Sequence, residues 1–405
     1  MGIIESIQET ETNSAANNIP ALERLLEELS NNPLPLDSTD AAAEVISQLR
    51  SKGIGRLRIP DSNGTGHLPL PQLFEWVIRL AQIDSNIPHI LRNHFGFVER
   101  ALYSRDNPKY EQWLEQARRG YLFGLGASEL GIQNIGAGKG NTLLSEDGDG
   151  YRLNGKKYYS TGNHYSHFIS VNAQTVDGRP VSAIIPSDRE GVEILDDWNG
   201  IGQKLTASGT TLLNNVRVEK DEVIGIEDQD KVLPFQATFF QLYLTSIVTG
   251  IIKAIARDAG RLLKGRQRNF YHAVAEKPAD DPLLQQTIGR LESIAYVAES
   301  SVLRAAELLQ QAFCSAAAGE PAPDIFQKAA LAAAKSKVVI DELALAAANQ
   351  LFDVGGASAA TTGENLDRHW RNIRTLSSHN PVSYKARAIG RFALDGTPLP
   401  NAGFF

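Results

Sequence analysis

The segment GYRLNGKKYYSTG, residues 150–162, has an apolar pattern of period two and interrupts a chain that is otherwise patterned as helices. Within it, Asn154-Gly155 predicts a type I′ hairpin turn, because that turn needs positive φ at both central residues. The strand that follows is then expected to present Tyr158, Ser160 and Gly162 on one face. The same period in YLFGLGAS, HFISVNAQT, VSAIIPS, VEILDDW and TTLLNNVRV extends the prediction to a small β-domain.

Helical patterns lie on both sides of this β-segment. PALERLLEELS and PQLFEWVIRLAQID precede it, and three patterns that each exceed about 25 residues follow it, which is typical of an antiparallel bundle. We therefore predict an α+β, mostly α, fold in three parts. These are an N-terminal helical domain at 1–120, a central β-barrel-like domain at 121–230, and a C-terminal four-helix bundle with a tail at 231–405.

Composition excludes several classes of function. The chain has 405 residues, 42% hydrophobic and 21% charged, as in a globular protein of two or three domains. A formal net charge of -7 argues against a nucleic-acid partner, because phosphate binding needs clustered Lys and Arg. Cys314 is the only cysteine, which excludes an intramolecular disulfide and fits the cytoplasm. The acidic start and the lack of an apolar run of about 20 residues predict neither secretion nor a membrane partner.

Common local motifs of nucleotide, metal and hydrolase sites do not fit the chain. Gly124-x-Gly126 with Gly131 lacks the spacing and the strand-to-helix context of a dinucleotide site. His164 and His167 are three residues apart in a β-patterned segment, where alternating faces separate them, so we predict no metal site. No G-x-S-x-G segment is present, although a hydrolase triad can be assembled from distant segments.

Three segments are richer in polar or small residues than simple packing requires. DSNIPHILRNH (84–94) places two histidines and an asparagine in an otherwise apolar helix, where an isolated histidine is more often a packing residue. GLGASELG (124–131) and KKYYSTG (156–162) suit the close approach of a planar ligand, but an ordinary β-domain also has such residues. DRHWRNIRTLSSHNPVSYK (367–385) concentrates arginines and is typical of either a buried ion-pair network or an anion site.

Taken together, this order of elements and three of the segments resemble the acyl-CoA dehydrogenase superfamily. The segments are residues 150–162, IPSDREGVEILDDWNGIGQKLTASGTTLLNNVRVEKDEVIG (185–225) and DRHWRNIRTLSSHNPVSYKARAIGRFALDGTPLP (367–400). The last one is similar to the flavin-dependent monooxygenase branch, most of all to the dibenzothiophene monooxygenases, whereas the β-segments also fit a true dehydrogenase. The resemblance covers most of the chain beyond about residue 40 and implies the acyl-CoA dehydrogenase fold.

The catalytic base of the dehydrogenases is missing. Where that branch has a glutamate, this chain has residues 375–379, Thr-Leu-Ser-Ser-His, with no carboxylate. A hydroxyl cannot act as a base of useful pKa near neutrality. Gly355-Gly356 is present, but Phe352 stands where FAD-using relatives have a glutamine. The resemblance therefore implies FMN as the cofactor, with FAD as the alternative.

Site residues follow from the resemblance, one position at a time. His89 and His379 match histidines on the two sides of the flavin ring, and Thr161 takes the place of a serine that faces N5; these three are the predicted catalytic residues. The predicted cofactor-binding residues are Asn93, Leu125, Gly126, Ala127, Ser128, Glu129, Leu130, Lys157, Tyr158, Tyr159, Ser160, Thr161, Trp198, Arg268, Ala357, Ser358 and His379.

Two of these positions depart from the family pattern. Asn93 replaces a tyrosine, and Ser358 replaces an arginine that would hold the FMN phosphate together with Arg268. The loss of one guanidinium contact costs about 1.5–3 kcal/mol of binding free energy, and Lys264 or Arg266 are candidates to replace it.

The resemblance implies a cytoplasmic, homotetrameric, two-component monooxygenase. A separate NAD(P)H-dependent flavin reductase would supply FMNH2, O2 would form a C4a-hydroperoxyflavin, and one oxygen would pass to an apolar substrate with a sulfur, nitrogen or aromatic centre. The three catalytic residues are expected to supply hydrogen-bond donors to the adduct. Phe95, Phe97, Trp198 and residues 234–244 are expected to line the substrate pocket. The alternatives are an FAD-dependent acyl-CoA dehydrogenase or oxidase and a non-catalytic ligand-binding relative.

Overall fold

The computed structural model describes residues 15–31, 38–61, 66–104, 107–132, 140–225, 233–400 and 403–405. Within these ranges, helices come first, strands second and helices again third, in the order that the hydrophobic periods predict. The mostly helical fold with one sheet confirms the predicted fold class.

The N-terminal helices enclose one helix that is buried on all sides. They are α1 (Ala15–Asn31), α2 (Thr39–Ser51), α3 (Leu70–Ile83), α4 (Asn86–Tyr103) and α5 (Lys109–Arg118). The side chain of Ser38 caps α2 by accepting a hydrogen bond from the amide of Ala41. Almost every residue of α4 is buried, so its polar residues His89, Asn93 and His94 lie inside the protein. Polar groups in such a place need partners, because an unpaired buried polar group is costly.

The strands form one sheet. They are β1 (Phe123–Gly126), β2 (Leu143–Asp147), β3 (Gly150–Lys157), β4 (Phe168–Thr175), β5 (Pro180–Pro186), β6 (Val192–Ile194), β7 (Thr211–Val218) and β8 (Val223–Gly225). The order is β6-β7-β3-β2-β4-β5-β8, and β1 pairs in parallel with β4. Parallel pairing with β4 places the end of β1, the start of a predicted flavin segment, beside the centre of the sheet.

The predicted hairpin turn at Asn154-Gly155 is wrong. β2 and β3 are joined at Gly148-Asp149, where Gly148 has φ +63°, and Asn154 and Gly155 lie inside β3. The register of β3 against β7 shifts at this point. A Cβ on Gly155 would meet Thr142 Oγ1 at 2.4 Å, so this glycine allows a close approach rather than a turn. Since β3 ends at Lys157, the expected strand face of Tyr158, Ser160 and Gly162 does not form.

Three long helices and two shorter ones complete the fold. They are α6 (Leu233–Gly265), α7 (Pro282–Ala317), α8 (Pro323–Gly355), α9 (Asp367–Ser377) and α10 (Val382–Asp395). Helices α6, α7 and α8 pack on one another, α10 packs on α8 as a fourth helix, and α9 lies against α6 and α8. By length and composition α6 could cross a bilayer, contrary to the sequence reading, but 89% of its apolar window is buried inside the protein.

Candidate functional site

Helix α4 and the loop after β6 meet at Gln203. The loop backbone at Gln203 is left-handed, with φ +53°, and the residue is fully buried. Its backbone amide donates to Asn372 Oδ1 at 2.7 Å. Gln203 Nε2 donates to Ser85 Oγ at 2.8 Å, and Gln203 Oε1 lies 2.9 Å from His89 Nδ1. With the amide in this orientation, His89 donates its Nδ1 proton to Gln203, and its Nε2 is an acceptor.

A row of three hydroxyl groups runs from this loop to Thr161. Thr206 Oγ1 lies 2.7 Å from the carbonyl oxygen of Gln203 and must donate to it, because a carbonyl only accepts. Ser208 Oγ, 2.7 Å from Thr206 Oγ1, must then donate to Thr206, and Thr161 Oγ1, 2.8 Å from Ser208 Oγ, must donate to Ser208. The only hydroxyl proton of Thr161 is therefore committed, and Thr161 offers a lone pair. We call Thr161, Gln203, Thr206, Ser208 and His89 the loop wall.

The loop wall bears on the predicted catalytic roles, which stay predictions. His89 and Thr161 were expected to donate hydrogen bonds to a bound adduct, but both protons are used inside the wall. His379 differs from them. Asn380 Nδ2 lies 3.3 Å from His379 Nδ1 and donates also to Gln241 Oε1 at 2.6 Å, so the neutral His379 carries its proton on Nε2. His379 is thus the donor among the three predicted catalytic residues.

A second group of side chains, from α4, α6 and the residues after α9, carries a positive charge. Arg92 of α4 stacks on the ring of Phe240, 4.6 Å from its centroid, and Phe404 packs edge-on against His379 at 5.5 Å. Lys385 donates to the carbonyl of Phe404. We call Arg92, Phe240, His379 and Asn380 the bundle wall.

Electrostatics keep both histidines neutral. Burial, with the charge of Arg92 second, lowers the pKa of His89 to about 3. Desolvation by the surrounding protein and the charges of Arg92, His89 and two lysines hold the pKa of His379 well below its usual range, although the residue is exposed in the single chain. Burial lowers the pKa of Arg92 only to about 10, so its guanidinium stays charged at neutral pH. The bundle wall therefore presents a fixed positive charge beside two neutral imidazoles.

The predicted flavin segments after β1 and β3 lie side by side. The amide of Tyr158 donates to the carbonyl of Ser128 at 2.8 Å. Lys157 and Glu129, both predicted cofactor contacts, form a buried ion pair at 2.6 Å and so hold the two segments together. The same carboxylate accepts a hydrogen bond from Thr142 Oγ1. Since their charges are satisfied by each other, we assign Lys157 and Glu129 to positioning the loop.

Exposed apolar groups surround these segments. Tyr159 has φ +56°, which turns its ring outward to 56% exposure, and Trp198 lies edge-on to it at 6.1 Å. Trp198 is itself held by a hydrogen bond from its Nε1 to the carbonyl of Gln203. Leu130 is 61% exposed, and Ala127 and Ser128 before it are also exposed, whereas Leu125 is half-buried and Gly126 is buried. Such a surface fits the face of a planar ring.

Three predicted phosphate-binding residues lie far from the histidines within one chain. Gln241 contacts Asn380 next to His379, whereas Arg268 follows the other end of α6, and α6 rises about 36 Å between Gln241 and Gly265. Ala357 and Ser358 lie at the same far end, because Arg266 donates to the carbonyl of Val354 at 2.6 Å. This distance exceeds the length of FMN, so the structure does not bring these residues to the same flavin as His89 and His379.

Unpaired polar atoms mark where a ligand would bind. In the ranges described above, Ser160 Oγ, Asn93 Oδ1 and Asn380 Oδ1 are buried without a hydrogen-bond partner, although Asn93 Nδ2 donates to the carbonyl of Thr161 at 2.7 Å. Buried polar groups without partners are costly unless a ligand or water completes them. Together with the open aromatic surface, these atoms fit the polar edge and the apolar face of an isoalloxazine ring.

The fold and the site define a flavoprotein class. Helices, sheet and bundle surround a site with a hydroxyl at one edge and two neutral histidines. Residues 375–379, at the end of α9, place no carboxylate there. An acyl-CoA dehydrogenase fold without its catalytic base is expected of the flavin-dependent monooxygenases.

Comparison with known proteins agrees with this class. Residues 242–384 match the family model described as acyl-CoA dehydrogenase, C-terminal domain. The chain is 30% identical to the probable FMNH2-dependent monooxygenase SfnC of Pseudomonas putida, over 87% of this chain and 88% of that protein. It is 28% identical to the dibenzothiophene monooxygenase of Mycolicibacterium goodii, over 89% of each. The FMN-bound structure of TdsC from Paenibacillus sp. A11-2 superposes with a TM-score of 0.85 at 24% identity, covering 96% of this chain and 100% of that one, and shows the shared fold.

The chain belongs to the FMNH2-dependent monooxygenase family within the acyl-CoA dehydrogenase superfamily. It is a monooxygenase, as the sequence resemblance implied.

Sequence reasoning missed several residues of the two walls. Gln203, Thr206 and Ser208 lie inside the quoted segment 185–225, but only their tertiary contacts show their roles. Arg92 could have been found, because it lies one helical turn from His89. Phe97, expected in the substrate pocket, instead stacks on Phe123 at 4.1 Å in a separate hydrophobic cluster.

Proposed function

We propose that this protein binds FMNH2 from a separate NAD(P)H-dependent flavin reductase and uses O2 to insert one oxygen atom into an organic substrate. The bound flavin would supply the oxygen-activating chemistry through a C4a-hydroperoxyflavin. The chain's own residues would bind and orient the ring, exclude water, and donate one hydrogen bond from the neutral His379 Nε2–H to the reacting oxygen. Thr161, Trp198, Tyr159 and the segment at 125–130 are the proposed flavin contacts.

The observation that carries this proposal is the direction of the hydroxyl row. Thr161 offers a lone pair because its proton goes to Ser208. Reduced flavin has a proton on N5, whereas oxidised flavin has a lone pair there. A hydrogen-bond acceptor at N5 therefore favours the reduced cofactor, which suits an enzyme that receives FMNH2 from solution.

The site is proposed to be completed by a second copy of the chain. Arg268, Ala357 and Ser358 lie about one α6 length from the histidines, so they can hold a flavin phosphate only if it belongs to the flavin of a neighbouring subunit. This supports the predicted homotetramer. A variant pair tests it: Arg268→Ala and His379→Ala would each have strongly reduced activity alone, and mixing and refolding them would restore part of the activity.

An anaerobic binding experiment tests the cofactor assignment. We expect equilibrium dialysis to show tighter binding of FMNH2 than of FMN, and of FMN than of FAD. The Thr161→Val variant should reduce the preference for FMNH2, whereas Thr161→Ser should keep it. Purification of the protein with tightly bound FAD, released on denaturation, would contradict the proposal and favour a dehydrogenase or oxidase.

A further inference from the structure

Arg92 is a partly buried cation that no carboxylate of the described residues pairs with. Its Nε makes a long contact of 3.4 Å to the carbonyl of Phe240, and its guanidinium stacks on that residue's ring. Among the residues that the structure describes, no carboxylate forms a salt bridge with it. By contrast, the buried Arg58 donates hydrogen bonds to both carboxylate oxygens of Glu99.

The terminal nitrogens of Arg92 remain open to a ligand. Arg92 is only partly buried, and neither of its Nη atoms is among the fully enclosed, unpartnered atoms of the described chain. Arg100 serves as a contrast. It stacks on Tyr110 at 5.8 Å, and its unpartnered Nε and Nη2 are completely enclosed, so no ligand reaches them. An unpaired guanidinium with free nitrogens is the usual protein group for a planar oxyanion.

The surroundings of Arg92 reinforce its charge. His89 lies one turn before it on α4 and His379 faces it from the end of α9, and the charge of Arg92 acts on both rings. On the side of His379, burial lowers the pKa of Lys385 to about 7, so this amine adds a positive charge only while it is protonated. Asp341 is already paired with Lys337 at 2.7 Å. Among the described residues around the two histidines, no carboxylate is therefore paired with Arg92.

We propose that Arg92 is the substrate's anion-binding group, and that the substrate is a small organic acid with a carboxylate or sulfinate group. This inference rests on the proposed function and narrows it, because the substrate becomes an anion with an apolar body that packs against Phe240. The guanidinium holds the oxyanion, and the neutral Nε2–H of His379 stays free for the reacting oxygen.

Calorimetric binding of two probes to the FMN-loaded protein tests this inference. Benzenesulfinate is the anionic probe, and benzenesulfonamide is a neutral probe of similar size. We expect the protein to bind the anion at least about tenfold more tightly, and Arg92→Met to lose about tenfold to hundredfold of the anion affinity while binding the neutral probe and FMN unchanged. Arg92→Lys should retain part of the preference, because it keeps the charge and loses the bidentate geometry.

Several results would overturn the inference. Equal binding of the two probes by the unmodified protein would do so, even if Arg92→Met failed to fold. So would a loss of FMN affinity in Arg92→Met with anion binding intact, since the guanidinium would then serve the flavin. Failure of the unmodified protein to bind FMN would instead count against the proposed function, and the probe comparison on the flavin-free protein would still decide the role of Arg92. Arg100→Met is the matched control and should leave the probe preference unchanged.

Discussion

The loop wall and the bundle wall differ in how far their polar groups are satisfied by hydrogen bonds within the protein. In the loop wall every proton has a fixed acceptor: His89 donates to Gln203, Thr161 to Ser208 and Thr206 to a carbonyl. In the bundle wall His379 keeps a free proton and Arg92 keeps free nitrogens. A satisfied network is rigid and specifies one geometry, whereas unsatisfied groups are available to a ligand. The first wall is thus suited to hold a cofactor, and the second to meet a substrate.

Removal of the free proton of the bundle wall should have the largest effect. We expect His379→Ala to lower turnover by about 10²-fold or more, because the loss of one positioned hydrogen-bond donor at a reacting oxygen costs about that much, while FMN binding changes little. Turnover is measured as product formation with FMN, a flavin reductase and NADH. His164→Ala is the control, since His164 is an exposed residue outside both walls. Turnover of His379→Ala equal to that of the control would remove His379 from the mechanism.

Disruption of the centre of the loop wall should act on stability. Gln203→Leu leaves Ser85 and His89 without their shared partner inside the protein. We expect the free energy of unfolding to fall by about 2–3 kcal/mol, the cost of two buried polar groups without partners. Denaturant unfolding measures this, with Gln112→Leu on the exposed side of α5 as the control. A denaturation midpoint equal to that of the parent protein would show that the hydrogen bonds of Gln203 do not stabilise the loop wall.

Reversal of the hydroxyl row should have a smaller effect on cofactor preference. In Ser208→Ala the hydroxyl of Thr161 loses its acceptor and can donate outward. We expect the ratio of FMNH2 to FMN affinity to fall by about tenfold, which corresponds to one hydrogen bond. The midpoint potential of the bound flavin reports the same change without turnover. Ser182→Ala, in β5, is the control, and an identical potential in both variants would contradict the assigned direction.

A change of pH should have the smallest effect on turnover, and it should lower the stability of the protein as the pH falls. The pKa of His379 lies well below 6.5, so turnover should show no inflection near pH 6.5. The pKa of folded His89 is about 3, below its unfolded value, so the neutral form is favoured by folding. Its contribution to stability is present above pH 6.5 and is lost as the pH falls towards 3. The unfolding midpoint should therefore depend less steeply on pH between pH 4 and 8 in His89→Asn than in the parent protein. An equal slope in both proteins would contradict this assignment.

The sequence predicted the parts of the molecule that depend on local pattern. Periods of two and of 3.6 residues locate the strands and helices, and the segment at 367–385 indicates the family. The division at residues 120 and 230 and the cytoplasmic location stay predictions. The prediction of a turn at Asn154-Gly155 was wrong, because the same Asn-Gly sequence also occurs at a β-bulge where a glycine allows a close approach.

The loop wall could not be predicted in the same way. Gln203 and Ala207 have positive φ although neither is glycine, so no local preference indicates the loop that places Ser208 beside Thr161. The donor or acceptor role of Thr161 depends on a carbonyl that lies three hydrogen bonds away in the chain of contacts. Such a role is visible only when all partners are known together.

Rapid mixing with oxygen tests the central claim most directly. The protein is loaded anaerobically with FMNH2 and mixed with O2, and flavin absorbance is followed against free FMNH2 at the same concentration. If the enclosed site protects the activated oxygen, oxidised FMN will appear only after a lag, through a transient with a distinct spectrum, and the lag will shorten in Ser208→Ala. Oxidation of the bound flavin at the rate of free FMNH2, with no transient, would contradict the account.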